Sequence, residues 1–244
     1  MPKMTKHEIQ LGYDLQKDLI PIVVDLDVCG HMAVCGSSGS GKTLSTLYYL
    51  YKLSTLTAPV DLYIGDFKRS YDYKGITVDT RFAEFDKVID LIDQFYMEFE
   101  STPENNSTLK ILLLDEYAGL IVWLTQHDKK KCEEIKGKIS NLLMLGRSRH
   151  CFVWIIVQRM TAQLFPAGIG AIDNFQILVG LGRLSIESHR SLFGAEHLKE
   201  PFEPRQGQGL CLIDGQPLRT IQTPFISDKK KLKRLLRGKF KRKR

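Results

Sequence analysis

A glycine-rich segment that ends in Lys-Thr limits the folds open to this chain. Gly36-Ser-Ser-Gly-Ser-Gly-Lys-Thr43 matches the pattern G-x-x-x-x-G-K-[ST], between the apolar run His31–Cys35 and a helical pattern. Glycines let the backbone turn its N–H groups toward phosphate oxygens, and the N-terminus of a following helix adds partial positive charge. The segment therefore predicts a phosphate-binding loop between a strand and a helix. These flanks disfavour the alternative of a glycine-rich turn without a ligand.

Two side chains of this loop have specific expected contacts. Lys42 is expected to reach the β- and γ-phosphates of a bound nucleotide, and the hydroxyl of Thr43 is expected to ligate Mg²⁺. The sequence therefore predicts ATP and Mg²⁺ as cofactors. The residues predicted to bind the nucleotide are Gly36, Ser37, Ser38, Gly39, Ser40, Gly41, Lys42 and Thr43.

Two adjacent carboxylates follow another apolar run. Ile111–Leu114 predicts a buried strand that carries Asp115 and Glu116 to the edge of the sheet where α/β proteins bind ligands. We expect Asp115 to hold Mg²⁺ together with Thr43, and Glu116 to orient or deprotonate the attacking water. The pair could instead cap a helix that begins at Tyr117. The phosphate-binding loop upstream favours the catalytic interpretation over the cap.

Apolar runs alternate with amphipathic ones along the chain, which predicts a mostly parallel sheet covered by helices on both faces. With 43% hydrophobic residues, 244 residues suffice for one substantial core. The predicted strands are Ile20–Asp25, His31–Cys35, Val60–Gly65, Leu109–Leu114, Cys151–Val157, Phe175–Leu181 and Gly209–Ile213. The predicted helices are Lys42–Leu53, Arg81–Glu100, Lys130–Leu145 and Ser185–Phe193.

The net charge of +7 is concentrated near the C-terminus. Residues 229–244 hold 11 of the 35 Lys and Arg residues and no acid, so residues 1–228 carry 24 basic against 28 acidic side chains, a net charge of −4. We therefore divide the chain into a motor domain, 1–228, and a basic tail, 229–244. Leucines of the tail share one side of a helix. Three interpretations remain: phosphate binding to DNA, binding to an anionic membrane surface, and a disordered solubilising tail.

Other sequence features limit the cellular context. The five cysteines form no C-x-x-C pair, so a zinc site or a redox motif is not expected. No apolar run approaches the roughly 20 residues that a membrane-spanning helix needs. Met1–Gln10 lacks the hydrophobic stretch of a signal peptide. We therefore expect a cytoplasmic location. The alternative is peripheral contact with a membrane surface through the basic tail.

The chain resembles the motor domain of the FtsK/SpoIIIE family, within the wider group that includes HerA. The similarity extends from about Asp14 to Ile213. Asp66-Phe67-Lys68 is similar to the family's Asp-Pro-Lys, with phenylalanine in place of proline, and Gln158-Arg159 is similar to the end of its Thr-Gln-Arg. The segments that carry the resemblance are Pro21–Leu26, His31–Gly36, Asp61–Lys68, Leu114–Ala118, Gly146–Arg159 and Gly207–Leu212.

This resemblance implies a RecA-like P-loop NTPase that moves along double-stranded DNA as a ring of identical subunits, with six expected. It implies that Gln158 senses the γ-phosphate or the attacking water. It also implies that one subunit donates an arginine to its neighbour's ATP. Arg183 and Arg190 are the first candidates, and Arg147 and Arg149 are the second. Two segments occupy places similar to family loops near DNA: Lys129–Lys131 and Thr161–Gly170.

Two other functions stay open. The chain could be a DNA-packaging or conjugative-transfer ATPase that docks on a relaxase, a portal or a membrane channel. It could also be an ATP-dependent recruitment switch without motor activity. The membrane-spanning segments and the winged-helix module of full-length family members have no counterpart here, which favours a motor of a plasmid, conjugative element or phage. A metabolic kinase is disfavoured, because the added strand Val60–Gly65 and Glu116 are typical of ATPases with a catalytic glutamate.

Overall fold

A single ten-stranded sheet organises the computed structural model, which describes residues 6–168, 170–197 and 203–241. The strand order is β2-β1-β10-β9-β8-β3-β7-β6-β4-β5. The strands are β1 (Glu8–Asp14), β2 (Ile20–Asp25), β3 (Met32–Gly36), β4 (Val60–Asp66), β5 (Phe82–Glu84), β6 (Leu109–Asp115), β7 (Cys151–Val157), β8 (Ile177–Leu181), β9 (Gln208–Ile213) and β10 (Arg219–Gln222). The helices are α1 (Lys42–Ser54), α2 (Val88–Ser101), α3 (Tyr117–His127), α4 (Lys129–Leu145), α5 (Ile186–Phe193) and α6 (Lys229–Phe240).

The six strands from β8 to β5 are parallel to one another, and the remaining strands pair antiparallel. β7 lies between β3, which leads into the glycine-rich loop, and β6, which ends in Asp115. Because the carboxyl ends of parallel strands meet at one edge, the loop, the acidic pair and the end of β7 share that edge. This edge is called the carboxyl edge below.

Helices cover both faces of the sheet, as predicted. One face buries apolar side chains of α1 and α6 with those of the β1–β2 hairpin. The other face buries α2, α3, α4 and the end of α5. β6 and β7 are buried along their whole length, which explains why their sequences are almost continuously apolar. The predicted α/β fold, a mostly parallel sheet covered by helices on both faces, is therefore confirmed.

The predicted helix Arg81–Glu100 is wrong in its first third. Residues 79–81 and 85–87 form 3-10 turns, residues 82–84 form β5, and α2 begins only at Val88. β5 pairs with the end of β4, with Ile64 opposite Phe82 and Asp66 opposite Glu84. A neighbouring strand outside the segment therefore overrides its local helical pattern. Helix α3 begins at Tyr117, as the helix-cap alternative expects, but the side chain of Glu116 makes no capping hydrogen bond. The sequence patterns do not predict β1 and β10.

The basic segment near the C-terminus is attached to the body of the protein. Residues 229–240 form α6, and its apolar residues Leu232, Leu236 and Phe240 are buried at 8%, 0% and 6% exposure. They join the same core as α1. The interpretation of a disordered tail is therefore wrong for residues 229–240, whereas residues 242–244 lie outside the described residues. The boundary at residue 228 and the ligand of the basic face stay predictions.

No helix in residues 6–168, 170–197 or 203–241 combines the length and the apolar character that crossing a bilayer requires.

Candidate active site

The glycine-rich loop connects β3 to α1 through backbone conformations that its glycines permit. Gly39 and Gly41 have φ of 79° and 105°, in the left-handed region that side chains disfavour. At Gly36 a Cβ atom would lie 2.5 Å from the carbonyl oxygen of Leu181 and 2.6 Å from Oγ of Ser40. The loop thus needs glycine at these positions for its turn and for its close contact with the end of β8. Ser37 and Ser38 are exposed at the turn.

Lys42 is the first residue of α1, and its side chain folds back over the loop. Its Nζ donates to the carbonyl oxygens of Gly36, at 2.5 Å, and Ser37, at 2.9 Å. Burial lowers the pKa of this amine, and the neighbouring carboxylates of Glu116 and Asp115 oppose that shift. The ammonium group therefore lies between the loop and the acidic pair. Thr43 follows it in the first turn of α1 and is half-buried.

Gln206 and Gly207 form hydrogen bonds with the glycine-rich loop, a contact that the sequence patterns did not predict. The N–H of Gly207 donates to the carbonyl oxygen of Ser40 at 2.9 Å, and Nε2 of Gln206 donates to that of Gly39 at 3.1 Å. At Gly41 a Cβ atom would lie 2.8 Å from the backbone nitrogen of Gly207. The chain just before β9 therefore holds the backbone of the phosphate-binding loop in place.

Asp115 lies at the end of β6, opposite Asp66 at the end of β4. Burial, together with the negative charges of Asp66 and Glu116, raises the pKa of Asp115 to about 7, against the opposing positive charges of Lys42 and Lys68. Asp66 is fully buried, and its Oδ2 accepts from the N–H of Ser70 at 2.9 Å and from its Oγ at 3.0 Å. Burial also raises the pKa of Asp66. Two acidic groups thus crowd together behind the glycine-rich loop.

The donor set at this edge suits Mg²⁺. Asp115, Asp66 and Thr43 offer only oxygen, and Mg²⁺ is bound through one or two carboxylates together with substrate phosphates. Among the described residues, Oδ1 of Asp66 and Oγ of Ser40 are buried without a hydrogen-bond partner. The described part of the chain holds no cluster of three or more His, Cys, Asp and Glu side chains fit to bind a metal alone. The arrangement therefore fits a cation that arrives with a phosphate ligand.

Glu116 has a strained backbone and a fixed side chain. Its φ of 58° is uncommon outside glycine, and its N–H donates to the carbonyl oxygen of Ile156 at 3.0 Å. Nε2 of Gln158, at the end of β7, donates to Oε2 of Glu116 at 3.2 Å. Left-handed backbone at a residue other than glycine is concentrated at functional sites. The structure thus brings Glu116, Gln158, Asp115 and Lys42 together at the carboxyl edge.

Phe67 and Lys68 also belong to this edge, although the sequence patterns gave them no role beyond the resemblance. The N–H of Phe67 donates to the carbonyl oxygen of Asp115 at 3.3 Å, and its ring lies against Gly119 in α3. Lys68 is exposed, and its charge lowers the pKa of both Asp115 and Lys42. A polar residue directly after an apolar strand was the signal that could have identified the Asp66–Lys68 segment.

The candidate arginines for transfer between subunits lie in different places. Arg183 is exposed at the carboxyl edge, one residue beyond Gly182, whose Cβ atom would lie 2.8 Å from that of Ser40. Arg190, in α5, lines a cleft of about 340 Å³ together with Asp173 and Asp214. Both assignments stay predictions.

The two lower-ranked candidates, Arg147 and Arg149, lie between the end of α4 and the start of β7. Arg149 donates to the carbonyl oxygens of Phe99, at 3.1 Å, and Glu100, at 3.0 Å, so its guanidinium fixes the end of α2. Arg147 is exposed.

The two segments suggested as DNA loops, Lys129–Lys131 and Thr161–Gly170, each combine exposed residues with residues fixed to the rest of the protein. Nζ of Lys131 lies 2.8 Å from a carboxylate oxygen of Asp93 and 2.9 Å from one of Glu134. The pair with Asp93 ties α4 to α2, whereas the pair with Glu134 lies within α4. Lys129 and Lys130 are exposed at the start of α4. Within Thr161–Gly170, Leu164 is buried, and residue 169 lies outside the described residues.

The fold and the glycine-rich loop together are those of a RecA-like P-loop protein. No protein-family model matches the chain. A curated relative, the FtsK domain-containing protein YdcQ of Bacillus subtilis (strain 168), is 25% identical over 217 residues, which cover 82% of this chain and 44% of the relative. The chain thus spans less than half the length of that relative. The predicted resemblance to the FtsK family is confirmed by this match and by the solved structures that share the fold.

Two solved structures illustrate the shared fold. The pCW3 conjugation coupling protein TcpA, in a monomer form with ATPγS, has a TM-score of 0.70 and 20% identity, over 97% of this chain and 71% of that one. EssC (ATPases 2 and 3) from Geobacillus thermodenitrificans has a TM-score of 0.69 and 16% identity, over 95% of this chain and 48% of that one. At these identities the similarity establishes the fold.

Proposed function

We propose that this protein binds ATP with Mg²⁺ at the carboxyl edge, hydrolyses it, and uses the energy to move along double-stranded DNA. The proposed assembly is a ring of identical subunits, six in number, with each nucleotide between two subunits. The proposed setting is the cytoplasm, in the service of a mobile element. The observation that carries the hydrolytic part is the Gln158–Glu116 hydrogen bond beside Lys42 and Asp115.

The proposed reaction assigns one task to each of these residues. The backbone of Gly36–Thr43 binds the phosphates, and Lys42 moves from the loop carbonyls to the β- and γ-phosphate oxygens. Thr43 and Asp115 hold Mg²⁺, which supplies positive charge that neutralises the phosphates when it is bound. Arg183 or Arg190 of a neighbouring subunit adds a second positive charge.

Glu116 acts on the attacking water in this scheme. Its carboxylate is half-buried beside the glycine-rich loop, so it can accept a hydrogen bond from a water in line with the γ-phosphate. The amide of Gln158 holds one carboxylate oxygen and leaves the other for the water. The strained backbone at Glu116 fixes the direction of the side chain before the nucleotide arrives.

The DNA part of the proposal is supported by the sequence similarity to an FtsK domain-containing protein. We expect a sequence-tolerant grip on the duplex, because phosphates carry no base information. Lys129 and Lys130, at the start of α4, are exposed cations of the suggested DNA loops and are available for phosphate contacts.

ATP hydrolysis with and without duplex DNA tests the proposal, with single-stranded DNA and Lys42→Ala as controls. We expect ATPase activity that duplex DNA stimulates and that Lys42→Ala abolishes. Activity retained in Lys42→Ala would refute the assignment of the site. ATP binding without any stimulation by DNA would refute the motor and favour the recruitment switch.

A coupling ATPase that docks on a partner channel is the second candidate, because one structure with the same fold is named a conjugation coupling protein. The same catalytic site would serve it. Co-expression with a relaxase, a portal or a membrane channel of the same genetic element distinguishes the two. A stable complex, together with turnover that depends on the partner instead of on duplex DNA, would favour coupling.

A further inference from the structure

The basic helix α6 is fixed to the body of the protein by its apolar side and by its cations. Leu232, Leu236 and Phe240 recur at every fourth position and enter the core that α1 shares. Nζ of Lys239 donates to the carbonyl oxygen of Leu56, just after α1. α6 also packs on β4, the strand that ends in Asp66. The helix thus lies over two elements that lead to the active site.

Other cations of α6 reach the β4–β5 connection, residues 67–81. Nζ of Lys233 donates to the carbonyl oxygen of Tyr71 at 2.9 Å, and Nη2 of Arg237 lies 3.4 Å from that of Lys74. The guanidinium of Arg237 covers Gly75, where a Cβ atom would lie 2.8 Å from Nη2. Hydrogen bonds from charged donors are stronger than those between neutral groups. Residues 71–75 are therefore held from outside by side chains of α6.

The same connection forms one wall of the active site. Ser70 gives Oδ2 of Asp66 two hydrogen bonds, and Lys68 lies close enough to Asp115 to lower its pKa. Tyr73 is fully buried in the core that contains α1 and α6, and burial raises its pKa, with a smaller contribution from the charge of Asp115. Residues 68, 70 and 73 thus face the carboxylates, whereas residues 71, 74 and 75 contact α6.

We propose that α6 is a positioning element of the ATPase site: Lys233 and Arg237 hold the β4–β5 connection so that Lys68 and Ser70 stay beside Asp66 and Asp115. The inference rests on the proposed ATPase function and adds residues from a distant part of the sequence to it. Lys233 and Arg237 do not touch the nucleotide in this proposal. They act through the backbone of residues 71–75.

The test compares two double variants of the full chain that each remove two positive charges from α6. Lys233→Ala/Arg237→Ala removes the contacts with the connection. Lys230→Ala/Arg234→Ala is the matched control, because both of its side chains are exposed on the outer side of the helix. The assays are ATP hydrolysis without DNA and amide hydrogen exchange of residues 67–81. Lys233→Arg/Arg237→Lys is the conservative variant.

We expect Lys233→Ala/Arg237→Ala to lower kcat roughly tenfold, because Lys68 and Ser70 should shift relative to the carboxylates. A displacement of about 1 Å at a catalytic site can reduce the rate about a hundredfold, so a smaller shift should have a smaller effect. The KM for ATP should change less than about twofold, because the glycine-rich loop has its own support from Gln206 and Gly207. Exchange in residues 67–81 should accelerate. The control should keep the wild-type kcat and exchange, and the conservative variant should restore both.

Three outcomes would overturn the inference: unchanged kcat and exchange, faster exchange with wild-type kcat, or an equal loss of kcat in the control. If the wild-type protein hydrolyses no ATP at all, the proposed function fails first. In that case exchange of residues 67–81, measured with ATPγS present and absent, still reports whether α6 holds the connection.

Discussion

His31 makes the stability of the strand that leads into the active site sensitive to acid. The residue precedes β3 and is fully buried, and its Nδ1 accepts from the N–H of Val153 at 3.0 Å. Its ring packs edge-on against Phe152, with 5.6 Å between centroids. Burial, together with the positive charge of Arg147, lowers the pKa of His31 from 6.5 to about 3. The native state therefore keeps this imidazole neutral.

The direction and size of the effect follow from this shift. Above a pH of about 6.5 the imidazole is neutral in both states and contributes nothing to the pH dependence. As the pH falls from about 6.5 toward 3, only the unfolded chain takes up the proton, so stability is lost over that range. At about 1.4 kcal/mol per pH unit, lowering the pH to about 5 costs the native state roughly 2 kcal/mol from His31 alone.

His31→Asn tests this prediction. An asparagine oxygen can accept the same backbone hydrogen bond from Val153, but it has no proton to gain in this range. The assay is urea unfolding of both proteins at pH values of about 7 and 5. The variant should lose roughly 2 kcal/mol less on acidification, and comparison within each protein cancels any fixed cost of the substitution. Equal losses in the two proteins would refute the assignment of a buried neutral histidine.

Three further experiments address the active site. Glu116→Gln should bind ATP but slow turnover by about 10² or more in a single-turnover assay, since a positioned general base contributes that much, and a wild-type rate would remove Glu116 from this role. Asp66→Asn removes a negative charge that raises the pKa of Asp115, so a carboxyl NMR titration without nucleotide should show that pKa below its present value of about 7. An unchanged titration would mean that the charge of Asp66 does not contribute to the pKa of Asp115. Mixing Arg183→Ala with Lys42→Ala should restore part of the turnover if the arginine acts on a neighbour's nucleotide, and no recovery would direct attention to Arg190.

The central half of the sheet could be predicted because its sequence and its environment agree. β6 and β7 are buried on both faces, so seven consecutive residues of each strand are almost all apolar. Once these strands are parallel neighbours, their ends must adjoin, which brings Glu116 and Gln158 together across 42 positions of sequence. The strand patterns thus predicted the two strands, whereas the role of Gln158 came from the resemblance to the FtsK/SpoIIIE family.

The remaining elements depend on partners that a local pattern does not specify. β10 has four residues and pairs with β1 from the other end of the chain, through Gln222 opposite Tyr13. β5 is only three residues long and forms because the end of β4 offers it free hydrogen-bonding groups. The leucine spacing of α6 predicted a helix with one apolar side, but not the surface on which that side packs.

The crowding of carboxylates at the carboxyl edge links the fold to its proposed chemistry. Asp66 and Asp115 occupy opposed positions on adjacent strands, and Glu116 follows directly, so the fold brings three acids together in a largely buried place. Burial and mutual repulsion raise the pKa of Asp115 to about 7, which means that this arrangement costs the ligand-free protein stability near neutral pH. A divalent cation that arrives with phosphates removes the repulsion and favours the ionised form of Asp115. This repulsion is what the proposed binding of ATP and Mg²⁺ would relieve, and in the ligand-free protein the hydrogen bonds of Ser70 and the proximity of Lys68 limit its cost.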